Sequence, residues 1–181
     1  MRHSSLAQWS KTVCEQIVQQ KAALRWIVGL FEKYNISYQI VGGLAVLAYG
    51  GTRSLNDIDV YIDFNKAGDS FFKEIRDHIA WGPATIREQG WDLTYLKANY
   101  HGQKLEIADS GAPTYIKNGN TGAWASLTIS YESSVLREVL GQKIMIMPAT
   151  QLSAYKTILD RSFDSQDVAE LQLHIDCKIS E

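Results

Sequence analysis

The spacing of apolar residues along the chain predicts helices at both ends and a series of strands between them. Over residues 5–33 apolar side chains recur every three or four positions, as at Leu24, Ile27 and Phe31, which predicts a helix with a bend near Gln20. Strands are predicted over 37–41, 58–64, 91–100, 104–108, 127–129, 134–140 and 143–147. Further helices are predicted over 43–49 and 69–79 and from about 148 and 165 onward, with a loop-rich stretch over 112–126.

The most informative segment begins where the first predicted strand ends, at Gly42 and Gly43, and continues to Asp57-Ile58-Asp59. Glycines let the backbone approach phosphate oxygens closely, and a short helix that starts there directs amide N–H groups at anions. Alternation along a strand would place both aspartates on one face while Ile58 and Val60 enter the core. Paired carboxylates are hard ligands suited to Mg²⁺. This segment therefore has the parts needed to bind a nucleoside triphosphate.

The order of strand, diglycine, Ala-rich helix, arginine and Asp-Ile-Asp over residues 38–64 resembles the nucleotidyltransferase superfamily. It is similar to the minimal nucleotidyltransferases of bacteria, which include antibiotic-modifying adenylyltransferases and toxins of abortive-infection systems. Arg53 lies at the position of the arginine in that pattern, four residues before Asp57. The resemblance implies an α/β fold of the α+β kind, with a mixed, mostly antiparallel nucleotidyltransferase-type sheet flanked by helices.

The chain length of 181 residues favours one domain. Together with the resemblance, it predicts a single nucleotidyltransferase-like domain over 1–181. We expect an N-terminal helical layer over 1–34, a catalytic sheet core over 35–147 and C-terminal helices over 148–181.

A third acidic residue is expected on the strand predicted over 104–108. Alternation places Glu106 on the face opposite to Leu105 and Ile107. The family carries its third metal-binding carboxylate on such a strand, usually as aspartate, so the resemblance implies this role for Glu106, with a longer side chain than usual. Asp109, where a loop is expected to begin, is the alternative. Asp63 is expected to end the second strand, with a site role as a remote alternative.

The resemblance returns near the C-terminus, where a helix that opens at Pro148 carries Lys156 and is followed by Asp160-Arg161. In the family the helix lysine meets the triphosphate, so the resemblance implies a phosphate contact for Lys156; a solvated surface lysine is the alternative. Asp160, Arg161 and Asp167 are expected to form a structural charge network between the last two helices.

These assignments together imply a Mg²⁺-dependent nucleotidyltransferase that moves a nucleoside monophosphate from an NTP to an acceptor hydroxyl and releases pyrophosphate. Asp57, Asp59 and Glu106 would be the catalytic and metal-binding residues, holding two Mg²⁺ ions. The nucleotide would be bound by a second set, namely Gly42, Gly43, Arg53 and Lys156.

Composition narrows the partners only slightly. The net charge is −2 and the sequence pI is about 6.1, which gives no general attraction to nucleic acid. No apolar run is long enough for a membrane span and no signal-peptide pattern is present, so we expect a cytoplasmic protein that does not bind membranes. Cys14 and Cys177 are expected to be reduced, partly buried thiols, and the four histidines match no zinc-binding spacing.

The acceptor is left open by the sequence. A small hydroxyl compound such as an aminoglycoside or a lincosamide is the first hypothesis, because no additional domain is predicted that would recognise a large partner. A toxin-type enzyme acting on tRNA or on a protein is the second, and a non-catalytic, antitoxin-like member that binds a nucleotide or a partner is the third. The terminal helices could also form a homodimer interface.

Overall fold

A computed structural model of the chain describes the backbone of residues 3–179 and the side chains of residues 14–177. This part of the chain folds into helices packed around one large sheet. The α-helices are α1 (His3–Lys33), α2 (Gly42–Ala48), α3 (Phe64–Ile75), α4 (Ala149–Leu159) and α5 (Asp164–Ile179). The strands are β1 (Tyr38–Ile40), β2 (Asp57–Ile62), β3 (Ile79–Glu88), β4 (Trp91–Tyr100), β5 (Gln103–Asp109), β6 (Tyr115–Lys117), β7 (Trp124–Ser126), β8 (Val135–Val139) and β9 (Gln142–Ile146).

Eight of the strands lie in the order β7-β6-β4-β5-β2-β1-β9-β8, and β3 also pairs with β4. Only the β2–β5 and β1–β9 pairs are parallel, and the other pairs are antiparallel. A mixed, mostly antiparallel sheet flanked by helices is the predicted architecture, and the fold class is therefore confirmed. None of the helices in residues 3–179 has both the length and the apolar character needed to cross a lipid bilayer.

The long helix α1 covers the sheet through one apolar face. Leu24, Ile27 and Phe31 are fully buried at the spacing of successive helical turns. The helix has no break near Gln20, because α1 continues through it. The Gln20 side chain is buried and its amide donates a hydrogen bond to the Leu55 carbonyl at 3.0 Å. A polar residue that interrupts the apolar pattern thus ties α1 to the loop that leads into β2.

The helix predicted over 69–79 starts earlier than expected, at Phe64. Asp63 precedes it as the N-cap residue, and its side chain accepts hydrogen bonds from the amides of Asn65 and Lys66 at 3.1 and 3.2 Å. Gly68 interrupts α3 with a φ of 72°, so the residues before it do not share the apolar periodicity of those after it. Asp63 therefore lies directly after β2, which ends at Ile62, and acts as a helix cap.

Strand β3 is the longest element that the sequence did not predict. It pairs with β4 alone and is mostly exposed, so it lacks the apolar alternation by which a half-buried strand is recognised. Residues 112–126 also contain two short strands, β6 and β7, and residues 127–129 form no strand. Cys14 and Cys177 are free but exposed, which corrects the expectation of partial burial.

Candidate active site

A cavity of about 680 Å³ opens between the centre of the sheet and the junction of α4 and α5. Its floor is formed by the Gly42-Gly43 turn and by β2 and β5. Strand β4 supplies one wall, and the loop between α4 and α5 supplies the other. Every site residue predicted from the sequence lines this cavity, namely Gly42, Gly43, Arg53, Asp57, Asp59, Glu106 and Lys156.

Three carboxylates reach the cavity from two neighbouring parallel strands. Asp57 and Asp59 lie on one face of β2, while Ile58 and Val60 point into the core and are almost fully buried. The register of β2 with β5 pairs Asp59 directly with Glu106. The alternation that predicted a shared face thus holds on both strands, and the strand pairing brings the faces together.

Asp59 is the most perturbed of these acids. Burial, followed by the charges of Asp57 and Glu106, raises its pKa to about 8. The pKa of Glu106 is also raised, first by burial and then by Asp57, although Lys97 lies 3.8 Å from Glu106 Oε1 and opposes the shift. The charges repel one another at this end of β2 and β5, which is the electrostatic setting that a cation would relieve.

Asp109, the alternative third carboxylate, lies at the end of β5 and does not line the cavity. It is buried, and its Oδ1 accepts hydrogen bonds from the amides of Phe64 and Gly111 at 3.0 and 2.8 Å. These bonds fix the loops at the far end of β2. The structure therefore brings Glu106, and not Asp109, to the two aspartates.

Gly42 packs directly against Asp59. Its φ is +61°, and a Cβ at this position would overlap Asp59 Oδ2. Its amide does not point at an open phosphate site, because it donates a hydrogen bond to the Tyr155 hydroxyl at 3.0 Å. Gly43 lies beside Arg53, whose Nη2 would be 2.9 Å from a Cβ on that glycine. The absence of side chains at this turn is thus needed for the aspartate and the arginine to approach it.

Tyr155 is a site residue that sequence reasoning missed. Its side chain is buried in α4, and burial, followed by the charge of Asp59, raises the pKa of its hydroxyl above the ordinary value. It looks like an ordinary core residue in the sequence, since 113 positions separate it from Gly42. Only the folded chain reveals that its hydroxyl supports the diglycine turn.

Replacing Tyr155 with phenylalanine should lower the free energy of unfolding by about 1–2 kcal/mol, because the buried Gly42 amide loses its acceptor. Denaturant unfolding of the purified variant measures this loss. Tyr115→Phe is the matched control, since Tyr115 is 40% exposed and lies outside the cavity. Equal unfolding midpoints for the two variants would contradict the role given to Tyr155.

Arg53 and Lys156 meet at one buried carboxylate. Arg53 donates from Nε and Nη2 to the two oxygens of Asp167 at 3.0 and 3.1 Å. Lys156 Nζ lies 2.7 Å from Asp167 Oδ2 and 3.2 Å from Asp164 Oδ1, and its side chain is only 1% exposed. Lys156 is therefore not a solvated surface lysine, and its role as a phosphate contact stays a prediction.

The expected charge network between the last two helices exists with one different member. Arg161 pairs with Asp164, at 2.7 Å from Nε to Oδ2, and Asp164 in turn shares Lys156 with Asp167. Asp160 is exposed and ends α4 in a left-handed conformation, with a φ of 48°. Asp164 thus takes the place that the sequence reading gave to Asp160.

The wall formed by β4 also escaped the sequence analysis. Trp91, Leu93, Tyr95 and Lys97 follow one another at every second position and line the cavity together. Lys97 pairs with Glu106 in the β4–β5 register. The alternation was visible in the sequence, but which face of β4 meets the cavity depends on that pairing.

Among the side chains of residues 14–177, no group of three histidine, cysteine, aspartate or glutamate residues already stands in a metal-binding arrangement.

No family model matches the sequence, and no characterised protein sequence matches it. Several solved structures share its fold. TM1012 of Thermotoga maritima, a proposed nucleotidyltransferase, is 15% identical over 88% of this chain and 89% of its own, with a TM-score of 0.53. The lincosamide antibiotic adenylyltransferase LnuA, with bound lincomycin, is 17% identical over 82% of this chain and 94% of its own, with a TM-score of 0.53.

The antibiotic-resistance factor ANT(2'')-Ia is similar to this chain in two structures. Its solution structure is 15% identical over 88% of this chain and 84% of its own, with a TM-score of 0.57. Its complex with adenylyl-2''-tobramycin is 14% identical over 86% and 89% of the two chains, with a TM-score of 0.55. At these identities the similarity concerns the fold, and it confirms that the chain has a nucleotidyltransferase-type fold, as the signature over residues 38–64 predicted.

Proposed function

We propose that this protein is a Mg²⁺-dependent nucleotidyltransferase, which moves a nucleoside monophosphate from an NTP to a hydroxyl group of a small molecule and releases pyrophosphate. The observation that carries the proposal is the convergence of Asp57, Asp59 and Glu106 on one cavity beside the Gly42-Gly43 turn. The nucleotidyltransferase-type fold supports it independently, because the signature residues occur in the matching architecture.

The donor set fits magnesium in its chemistry. Three carboxylates supply only oxygen ligands, which Mg²⁺ prefers, and burial followed by the charges of Asp57 and Glu106 raises the pKa of Asp59, a shift that a bound cation would oppose. Asp57 and Asp59 would hold both ions, and Glu106 would hold one of them. When bound, the ions would neutralise the triphosphate and stabilise the charge that develops on the reacting oxygens.

The residues of the chain would position the reactants and accept the proton. Gly43, with Arg53 beside it, would face the triphosphate, and Arg53 would offset its charge. The acceptor oxygen attacks the α-phosphorus, the bond from that phosphorus to the α,β-bridging oxygen breaks, and pyrophosphate leaves. Glu106 takes the proton of the acceptor hydroxyl, a role that suits a carboxylate whose pKa is raised.

The size of the cavity and the similar structures favour a small acceptor. A volume of about 680 Å³ accommodates a nucleotide with part of a small molecule. LnuA was solved with lincomycin, and ANT(2'')-Ia with an adenylylated tobramycin. An acceptor of comparable size would lie against β4, where Trp91 and Tyr95 offer flat apolar surfaces.

The decisive experiment combines the protein with each α-³²P-labelled NTP, Mg²⁺ and a panel of acceptors comprising aminoglycosides, lincosamides, total tRNA and cell protein. We expect a labelled small-molecule product that disappears with EDTA, and Glu106→Gln should lower its rate by roughly 100-fold or more. Glu138→Gln is the control, because Glu138 is an exposed strand carboxylate outside the cavity.

Label on tRNA or protein alone would replace the small acceptor with a toxin-type macromolecular target. No transfer from any NTP to any member of the panel would overturn the enzymatic proposal in favour of a non-catalytic binding protein.

A further inference from the structure

Three cations at the α4–α5 side of the cavity differ in how deeply they are buried. Arg53 and Arg161 each pair through two nitrogens with one buried aspartate, Asp167 and Asp164 respectively. Lys156 Nζ donates a hydrogen bond to each of the two aspartates. Both aspartate side chains are at most 1% exposed. The arginines thus form the outer, cavity-facing layer of the network, and the lysine forms its buried inner layer.

Lys156 lines the cavity, but its ion pairs leave it poorly placed to meet a ligand. Its side chain is 1% exposed, and its ammonium group lies within 3.2 Å of two carboxylates. Releasing it would leave Asp164 and Asp167 buried with less charge compensation, which is strongly unfavourable for buried ion pairs. The ammonium therefore serves the two aspartates as their shared counter-ion.

Arg161 is placed quite differently. Its side chain lines the cavity and is 32% exposed. Asp164 takes hydrogen bonds from Nε and Nη2, and Nη1 has no hydrogen bond to any residue of the described chain. The guanidinium also lies 4.6 Å from the ring centre of Phe163 and 6.0 Å from that of Trp91. A carboxylate and two rings therefore fix its orientation while part of its donor capacity faces the cavity.

Phe163 links the two arginines. It is 40% exposed at the rim of the cavity, and the Arg53 guanidinium lies 5.1 Å from its ring centre, on a par with that of Arg161. Two guanidinium groups held beside one ring, of which that of Arg53 also lies next to Gly43, offer paired charge to an extended anion.

We propose that Arg161, together with Arg53, binds the triphosphate of the nucleotide, and that Lys156 orients both arginines through Asp164 and Asp167. This inference rests on the proposed function and assigns a new binding residue to the same cavity. A triphosphate is the ligand class because two fixed guanidinium groups match successive phosphates better than a single charge does. Lys156 is in this scheme a positioning residue.

The test measures binding without any transfer reaction. Inorganic tripolyphosphate, ATP and AMP are titrated into the wild-type protein with Mg²⁺ by calorimetry, and then into Arg161→Gln and Arg161→Lys. Arg161→Gln should weaken binding of ATP and tripolyphosphate roughly 10- to 100-fold, and that of AMP much less, since AMP lacks the outer phosphates. Arg161→Lys should fall between, because it retains the charge without the planar fork.

Arg87→Gln is the matched control, since Arg87 also pairs with an aspartate and stacks on a ring, Asp92 and Trp124, but lies outside the cavity. It should bind all three compounds like the wild type. A folded Arg161→Gln or Arg161→Lys variant with wild-type affinity for tripolyphosphate would overturn the inference, as would a wild-type protein that binds neither ATP nor tripolyphosphate. Transfer is measured separately, in the labelling experiment. An enzyme that transfers a nucleotide but does not need Arg161 for binding would contradict this inference and leave the proposed function standing.

Discussion

Replacing Asp59 with asparagine should remove nucleotidyl transfer and at the same time stabilise the metal-free protein. Asp59 faces the cavity together with Asp57 and Glu106, and an amide in its place loses the negative charge that a divalent cation needs. We expect the transfer rate to fall by roughly 100-fold or more. The same substitution removes the carboxylate whose pKa is raised most among the three, so activity should fall while stability rises.

The stability effect has a defined pH dependence. Burial, then the charges of Asp57 and Glu106, raises the pKa of Asp59 to about 8, whereas an aspartate in the unfolded chain titrates at about 4. Between these pH values the folded protein holds a proton that the unfolded chain has lost. The free energy of unfolding therefore falls as the pH rises. Asp59→Asn removes this loss. Because each pH unit between the two pKa values costs about 1.4 kcal/mol, its advantage over the wild type should be roughly 1 kcal/mol near pH 5 and on the order of 4–5 kcal/mol at pH 8, a rise of roughly 10 °C or more in Tm.

Thermal unfolding in EDTA at pH 5 and pH 8 measures the effect. Asp167→Asn is the matched control with the opposite sign. Burial alone would raise the pKa of Asp167, but its hydrogen bonds to Arg53 and Lys156 lower it below the usual value. That variant should be less stable than the wild type at both pH values, by about 3 kcal/mol at pH 8. An Asp59→Asn variant no more stable than the wild type at pH 8 would argue against a crowded acidic site.

The carboxylate site was predictable because it depends on short-range rules. Alternation along β2 places Asp57 and Asp59 on one face, and the same alternation in β5 selects Glu106 over its apolar neighbours. The order of the elements, with the resemblance, was then sufficient to predict a mixed sheet. Strand β3 escaped because it is an exposed partner of β4 alone, so burial leaves no pattern in its sequence.

The supporting contacts were not predictable because they join distant parts of the chain. The Tyr155 hydroxyl meets the Gly42 amide across 113 positions, and Arg53 meets Asp167 across 114. Lys156 shows the limit of motif reading most clearly. Its position matches the family pattern, but the pattern contains no information on the two buried aspartates that surround its ammonium. Burial and partner geometry, which only the fold supplies, separate a ligand-facing cation from an internal counter-ion.

Replacing Gly42 with alanine should be among the most damaging single-methyl changes in the chain. The methyl group would overlap Asp59 Oδ2, and the φ of +61° is unfavourable for any residue with a Cβ. Asp59 is confined by β2, and Gly42 is held by its hydrogen bond to Tyr155, so neither can yield without breaking a contact. We expect the free energy of unfolding to fall by about 2–4 kcal/mol and transfer to be lost, because Asp59 must leave its position.

Two other glycines test whether this damage is specific. Gly29 lies in α1 with open space where a Cβ would stand, so Gly29→Ala should raise the free energy of unfolding by about 0.5–1 kcal/mol. At Gly43 the backbone has no positive φ, and the new methyl group would stand 2.9 Å from Arg53 Nη2, so the guanidinium would have to move relative to Asp167. Gly43→Ala should therefore cost less stability than Gly42→Ala but bind ATP more weakly. Denaturant unfolding and ATP titration rank the three variants, and a Gly42→Ala protein as stable as Gly43→Ala would show that the turn does not constrain Asp59.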